Sequence, residues 1–240
     1  MATPIDSSTP AAAILVLGMH RSGTSCLAGS LEQRGLHLGE VYQWRPYNTK
    51  GNRENQRVMD LNDAVLAHSG GRWDQPPAAL AWTAEHAARR DALIAELRGG
   101  SRGHWGFKDP RTLLTFDFWH QAIADARLVG TFRHPLAVAR SLNARDAAMS
   151  LERGLALWQA YNERLLERHM SAPFPILCFD SDETGYRRTV DAVARDLGLG
   201  PAPADEFFER GLRTQAADGA TELPPSVRRV HQRLLAVARA

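Results

Sequence analysis

Short apolar runs alternate along this chain with longer stretches in which apolar residues recur every three or four positions. The runs are typical of strands buried on both faces, and the longer stretches are typical of helices that cover them. Strands are predicted at 12–18, 36–39, 105–107, 128–132 and 174–179. Helices are predicted at 24–34, 54–68, 82–98, 113–125, 136–147, 151–170 and 183–197, with further helix towards the carboxyl end. This order predicts a three-layer α/β/α fold with a mainly parallel sheet.

The same pattern predicts how the chain divides into domains. Residues 1–10 are polar and contain two prolines, so we expect a flexible tail there. The remaining residues, 11–240, are expected to form a single α/β domain. An apolar content of 44% with 23% charged residues excludes a wholly disordered chain.

Charge, apolar run length and cysteine content exclude several classes of function. The net charge of +2, with no run of basic residues, is too small for a general nucleic-acid-binding protein. No apolar run approaches the roughly 18 residues that a membrane span needs. Two cysteines are too few for a disulfide framework or a zinc site, which favours a reducing compartment. Because the apolar stretch 11–18 also lacks the basic segment that opens a secretory signal, we expect a cytoplasmic protein.

Basic residues follow three of the predicted strands. Arg21 comes after the first, Lys108 after the third and Arg133 after the fourth. The carboxyl ends of parallel strands lie at one edge of a sheet, where ligands bind, so we expect these side chains to converge on one site. Lys108 is also unusual in composition, because it and Lys50 are the two lysines among 29 lysine and arginine residues. The sequence assigns no role to Lys50.

The segment 18–25, GMHRSGTS, has the order of strand, glycine-containing turn and helix that is typical of a phosphate-binding loop. Backbone amides at the start of such a helix form an anion site. Nucleotide triphosphatases carry a lysine where this loop has Thr24, and we identify no strand-end aspartate of the kind that holds their magnesium. We therefore expect a P-loop nucleotide-binding fold in which Arg21 supplies the missing charge. The structural alternative is a glycine turn that merely joins strand and helix.

Three ordered motifs resemble those of sulfotransferases that use 3′-phosphoadenosine 5′-phosphosulfate (PAPS). The loop over 21–25 is similar to the segment that binds the 5′-phosphosulfate, especially in the bacterial branch of the family. Arg133, followed eight residues later by Ser141, is similar to the pair that binds the 3′-phosphate. Lys108 begins a Lys-Asp-Pro segment similar to that of tyrosylprotein and related sulfotransferases. The resemblance extends over about residues 12–199.

The resemblance implies a donor site and a reaction that needs no metal. The donor-binding residues would be Arg21, Ser22, Gly23, Thr24, Ser25, Arg133 and Ser141. Lys108 and Arg21 would stabilise the negative charge that grows on the leaving nucleotide, which departs as 3′,5′-ADP. The acceptor would be a hydroxyl or amine of a glycan, a lipid, a peptide tyrosine or a natural product, and the sequence does not choose among them. Oligomeric state is equally open.

Two glutamates compete for the role of general base. In the tyrosylprotein and glycan branches this residue comes soon after the second strand, and Glu40 directly follows the predicted strand 36–39. Glu54 ends a segment, 48–54, that resembles one in the bacterial branch. The alternative for Glu40 is a solvated loop carboxylate. The alternative for Glu54 is a residue of the first helical turn that the helix dipole favours.

Several residues are weaker candidates. His20 and Asp109 are reserve bases, although Asp109 could instead orient Arg111 or cap the helix that follows. Three tryptophans in or beside the loop-rich region 40–82 are candidates for lining an acceptor pocket: Trp44, Trp73 and Trp82. A P-loop small-molecule kinase, or a non-catalytic nucleotide-binding protein of the same fold, are the alternative functions.

Overall fold

The computed structural model describes residues 11–41, 51–205, 207–208 and 222–239. The predicted tail over 1–10, together with Trp44 and Lys50, lies outside these residues. The strands are β1 (Ala13–Leu17), β2 (Trp105–Lys108), β3 (Arg127–Phe132) and β4 (Ile176–Cys178). The α-helices are α1 (Thr24–Glu32), α2 (Gln56–His68), α3 (Ala84–Gly99), α4 (Phe116–His120), α5 (Pro135–Arg145), α6 (Leu151–Ser171), α7 (Glu183–Asp196) and α8 (Pro225–Val237).

The four strands form one parallel sheet in the order β2-β1-β3-β4. Side chains of the central strand β1 alternate between two hydrophobic cores. Ile14 and Val16 belong to the core that contains residues of α1 and α7. Leu15 and Leu17 belong to the core on the other face, with residues of α2, α3, α5, α6 and α8. Helices therefore cover both faces of a parallel sheet, which confirms the predicted three-layer α/β/α fold.

Two predicted elements differ from those observed. The predicted strand 36–39 is reduced to an isolated bridge between His37 and Trp105. The predicted helix 113–125 is instead a 3₁₀ turn (Pro110–Leu113) followed by the short α4. Leu114 and Thr115 separate them, and the Thr115 hydroxyl donates to Asn62 Oδ1 at 2.7 Å. This side-chain bond, made to a distant residue, fixes a non-helical backbone that local propensity does not encode.

The strand order decides which residues meet. β1 lies between β2 and β3, and all three run in the same direction. Their carboxyl ends therefore place Lys108, the loop 18–23 and Arg133 at one edge of the sheet. The same edge receives the amino terminus of α1.

Candidate active site

The predicted phosphate-binding loop follows β1 and depends on two glycines. A Cβ atom on Gly18 would lie 2.5 Å from the carbonyl oxygen of Thr131 in β3, and one on Gly23 would lie 2.3 Å from the ring of Phe179. Gly23 also has a left-handed backbone, with φ of 83°. Both approaches are closer than any side chain allows, so the loop can pack against β3 and Phe179 only with glycine at these positions.

The amino terminus of α1 has the properties of an anion site. Gly23 is its N-cap and provides no side-chain hydrogen bond to the amides of the first turn. The hydroxyl of the neighbouring Ser22 is buried and has no hydrogen-bond partner among the described residues. Unsatisfied amides at a helix amino terminus, with the positive end of the helix dipole, attract phosphate and sulfate groups.

Lys108 joins the loop to Glu54. The Lys108 Nζ atom lies 2.6 Å from Glu54 Oε1 and 3.2 Å from Ser25 Oγ. The Lys108 side chain is 1% exposed and that of Glu54 is 10% exposed, so the pair is almost fully removed from water. A buried pair of this kind puts one cation and one carboxylate beside the anion site.

Glu54 and Glu40 occupy different environments. Glu54 is buried and precedes Asn55, which is the N-cap of α2 and accepts from the amides of Arg57 and Val58. The alternative that Glu54 lies in the first helical turn is therefore wrong, because Asn55 is the N-cap and the first residue of α2 is Gln56. Glu40 is exposed, just before the isolated bridge of Val41 to Asn55.

Three arginines gather where α5 approaches the loop. Arg21 has a left-handed backbone with φ of 66°, and its Nε donates to Ser141 Oγ of α5 at 2.8 Å. Burial, followed by the nearby charges of Arg145 and Arg133, lowers the pKa of Arg21. Like charges this close disfavour one another, and a bound anion relieves that repulsion. The arrangement thus suits a second phosphate group.

Arg133 is held by a carboxylate that follows β4. Its side chain is buried, and its Nε donates to Asp180 Oδ1 at 3.2 Å. Asp180 Oδ2 also accepts from the amide of His134, at 2.6 Å, and Trp158 Nε1 donates to the Arg133 carbonyl at 2.9 Å. These contacts fix both the backbone and the guanidinium plane of Arg133.

Asp109 belongs to a buried network. Its Oδ1 accepts from Arg111 Nη1 at 3.0 Å, and its Oδ2 accepts from Asn62 Nδ2 at 2.8 Å. Arg111 Nε also donates to Asp63 at 2.7 Å. Although burial opposes the shift, the carboxylates of Asp109 and Asp63 raise the pKa of Arg111. Asp109 also accepts from the amide of Arg111 as the N-cap of the 3₁₀ turn. It thus both orients Arg111 and caps the turn.

A cleft of about 260 Å³ opens between the loop, the start of α2 and the end of α5. Its lining residues are His20, Arg21, Thr24, Ser25, Asn52, Glu54, Gln56, Met59, Pro110, Arg111 and Arg145. Lys108 borders the cleft through its contacts with Ser25 and Glu54. Glu40, Trp73 and Trp82 are absent from the lining, although Trp73 packs directly behind His20, with ring centroids 4.7 Å apart.

A family model described as the sulfotransferase family matches residues 13–180, more than two thirds of the chain. The chain belongs to the sulfotransferase family. Membership confirms the family suggested by the loop and strand-end motifs, and it supports sulfotransferase activity.

Two solved sulfotransferase domains share the fold of this sulfotransferase-family chain. The domain from the olefin synthase of Synechococcus PCC 7002 is 12% identical with a TM-score of 0.63, and the match covers 96% of each chain. The domain from the curacin biosynthetic pathway is 11% identical with a TM-score of 0.55, covering 95% of this chain and 99% of that one. No curated protein sequence matches the chain significantly.

Sequence reasoning about this sulfotransferase-family chain missed the partner of Arg133. Asp180 follows β4 at the edge of the sheet where the basic residues lie. In the sequence it comes directly after the predicted strand 174–179, so the argument from strand ends, extended to that strand, would have found it. Asp109 and Asp180 both follow strands, and each forms an ion pair with an arginine.

Within the described ranges, no three histidine, cysteine, aspartate or glutamate side chains are grouped so as to hold a metal ion. None of the helices described here combines the length and the apolar character required to cross a bilayer.

Proposed function

We propose that this chain transfers the sulfuryl group of PAPS to a hydroxyl or amine of an acceptor, with Glu54 as the general base. One observation carries the proposal: Lys108 connects Glu54 to Ser25 of the phosphate-binding loop. A cation that stabilises a leaving group and a carboxylate that takes a proton are the two groups that sulfuryl transfer needs beside an anion site.

The described residues fit the donor at both of its charged ends. At one end, the amides of Ser22 to Ser25 and the buried Ser22 hydroxyl, which has no partner in the described part of the chain, suit the 5′-phosphosulfate. At the other end, Arg133 and Ser141 suit the 3′-phosphate, a group that separates this nucleotide from ATP. Arg21 spans the two ends, because it belongs to the loop and contacts Ser141.

When bound, PAPS supplies an activated sulfuryl group whose leaving part is a nucleotide phosphate. Glu54 takes the proton of the acceptor hydroxyl as the new oxygen–sulfur bond forms and the bond between sulfur and the 5′-phosphate oxygen breaks. Lys108 stabilises the negative charge on that departing oxygen, and the loop amides add fixed dipoles. Arg21 contributes a second cation. The nucleotide leaves as 3′,5′-ADP.

Glu54 is favoured over Glu40 by burial and by contact. A base must reach the acceptor proton while water is excluded, and Glu54 lines the cleft at 2.6 Å from Lys108. Glu40 is exposed, as expected of a solvated loop carboxylate. Asp109 is disfavoured as a base because both of its oxygens accept hydrogen bonds within the network of Arg111 and Asn62.

Thermal unfolding with and without nucleotide tests the donor. We expect 3′,5′-ADP to stabilise the protein without magnesium, by about 2.7 kcal/mol at a hundredfold excess over its Kd. Sulfuryl transfer from isotopically labelled PAPS to a panel of hydroxyl and amine acceptors tests the reaction. Stabilisation by magnesium ATP with no response to 3′,5′-ADP would indicate a kinase. Binding of 3′,5′-ADP with no transfer to any acceptor would indicate a non-catalytic nucleotide-binding protein.

A further inference from the structure

His20 is a polar residue of the phosphate-binding loop to which the proposed mechanism gives no task. It lies between β1 and α1 and lines the cleft together with Glu54 and Arg111. Its Nε2 atom is buried, yet no described residue forms a hydrogen bond with it. Buried polar atoms in folded proteins nearly always have a partner, so an unpaired nitrogen on a ring that lines a cleft points to a ligand.

Packing holds the imidazole ring in place. The ring of Trp73 lies 4.7 Å from that of His20, tilted by 53°, and the ring of Tyr161 lies 6.1 Å away, edge-on. The Tyr161 hydroxyl donates to the Trp73 carbonyl at 2.8 Å, which ties these two supports together. A side chain fixed in this way loses little entropy when it binds a ligand.

Burial and the positive charges around the ring disfavour its protonation. Burial, followed by the positive charges of Arg111, Lys108, Arg145 and Arg21, lowers the pKa of His20 well below its usual value. Protonation would place a fifth cation among four, so His20 is a poor general base. A neutral imidazole nevertheless retains one N–H donor.

His20 lines the cleft together with Ser25 and Glu54, the two residues that Lys108 contacts. It therefore shares the cleft with the groups that the proposed function places around the transferring sulfuryl group, among them Glu54, the proposed base.

We propose that the fixed imidazole of His20 is a catalytic residue whose N–H group forms a hydrogen bond with the sulfuryl oxygens while the sulfuryl group passes from PAPS to the acceptor. This inference depends on the proposed sulfuryl transfer. An N–H group that is already in position holds the sulfuryl group for in-line attack without reorganisation, while the negative charge grows on the departing 5′-phosphate oxygen. Because His20 does not exchange a proton, this role is separate from that of Glu54.

Two substitutions separate the hydrogen bond from the packing. His20→Phe keeps a flat ring against Trp73 but removes both nitrogens, whereas His20→Gln keeps an N–H donor. We expect His20→Phe to slow single-turnover transfer about 10²-fold, as loss of one such donor does in other enzymes. We expect His20→Gln to recover about tenfold of that loss. The Kd of 3′,5′-ADP should change less than about threefold in both, because this product has no sulfuryl group.

The matched control is His120→Phe, an exposed histidine whose ring stacks on Phe116 at the end of α4. It should leave transfer unchanged. An unchanged transfer rate in His20→Phe, or equal losses in the Phe and Gln variants, would overturn the inference. So would a loss explained by weaker 3′,5′-ADP binding or by lower thermal stability. Failure of the proposed function itself is distinguishable, because the unaltered protein would then bind no 3′,5′-ADP or transfer no sulfuryl group.

Discussion

Two cation–carboxylate pairs lie at the same edge of the sheet, and they differ in chemistry. Lys108 and Glu54 are 2.6 Å apart, with side chains 1% and 10% exposed. Arg133 and Asp180 are 3.2 Å apart, and Asp180 is 33% exposed. One pair is almost completely desolvated beside the cleft, and the other has one member near water.

The difference indicates what each pair does. Lysine carries a compact charge on a flexible stem, so Lys108 can move from Glu54 to a leaving oxygen and release the carboxylate as a base. Arginine presents a planar fork, and Asp180 accepts from the Nε of Arg133, which helps to fix the plane of the guanidinium. We therefore infer that the first pair changes partners during the reaction and that the second stays in place to bind nucleotide.

The largest expected effect is on the base. We expect Glu54→Gln to lower kcat by about 10²–10⁴-fold, because it removes the proton acceptor while keeping the size of the side chain. Steady-state kinetics with PAPS and the best acceptor measure it, and Glu40→Gln is the matched control, with activity near that of the unaltered protein. A larger loss in Glu40→Gln would move the base to Glu40. Thermal unfolding is needed alongside, because Glu54→Gln leaves Lys108 without a buried countercharge.

The two cations should fail in different ways. We expect Lys108→Ala to lower kcat about 10²–10³-fold with little change in the Kd of 3′,5′-ADP, since its contact strengthens in the transition state. We expect Arg133→Ala to raise that Kd about 10–100-fold, the effect of losing hydrogen bonds to a charged group. Lys108→Arg sharpens the contrast, because this variant keeps the positive charge and we still expect its kcat to be lower than that of the unaltered protein.

Calorimetric titration of 3′,5′-ADP and single-turnover transfer measure the two quantities separately. If both alanine variants lost affinity equally and turned over at the same rate, the division of labour between the pairs would be wrong. Full activity in Lys108→Arg would show that a charge alone is sufficient at that position.

The sequence predicted those parts of the fold and the candidate site that depend on local sequence patterns. An unbroken apolar run identifies β1. The loop after β1 and Arg133 directly follow strand ends, and Lys108 is the last residue of β2. Their meeting at one edge of the sheet follows from parallel strands, which the alternation of strands and helices requires. The sulfotransferase family was also identifiable from these motifs.

The rest depends on contacts between residues that are far apart in the chain. Glu54 precedes α2 because Asn55 caps that helix. Local propensity does not fix the first residue of a helix to better than one or two positions. The position of the His20 ring depends on its contacts with Trp73 and Tyr161, which are far from it in the sequence and are linked to it by no spacing rule. The pairing of Arg133 with Asp180 likewise requires β3 and β4 to be neighbours, a fact about strand order.

The smallest expected effect tests whether Asp180 positions Arg133. Asp180→Asn keeps an oxygen that can accept from the His134 amide but removes the negative charge beside Arg133 Nε. We expect the Kd of 3′,5′-ADP to rise about 3–10-fold, the effect of weakening one hydrogen bond to a charged group, with kcat at saturating donor unchanged. The matched control is Asp182→Asn, which replaces the N-cap of α7 with an equally good cap and should change neither quantity. A fall in kcat without a change in Kd would place Asp180 in the chemistry. An unaltered Kd would show that the plane of Arg133 is set by its buried surroundings alone, and the two pairs would then differ only in their exposure to water.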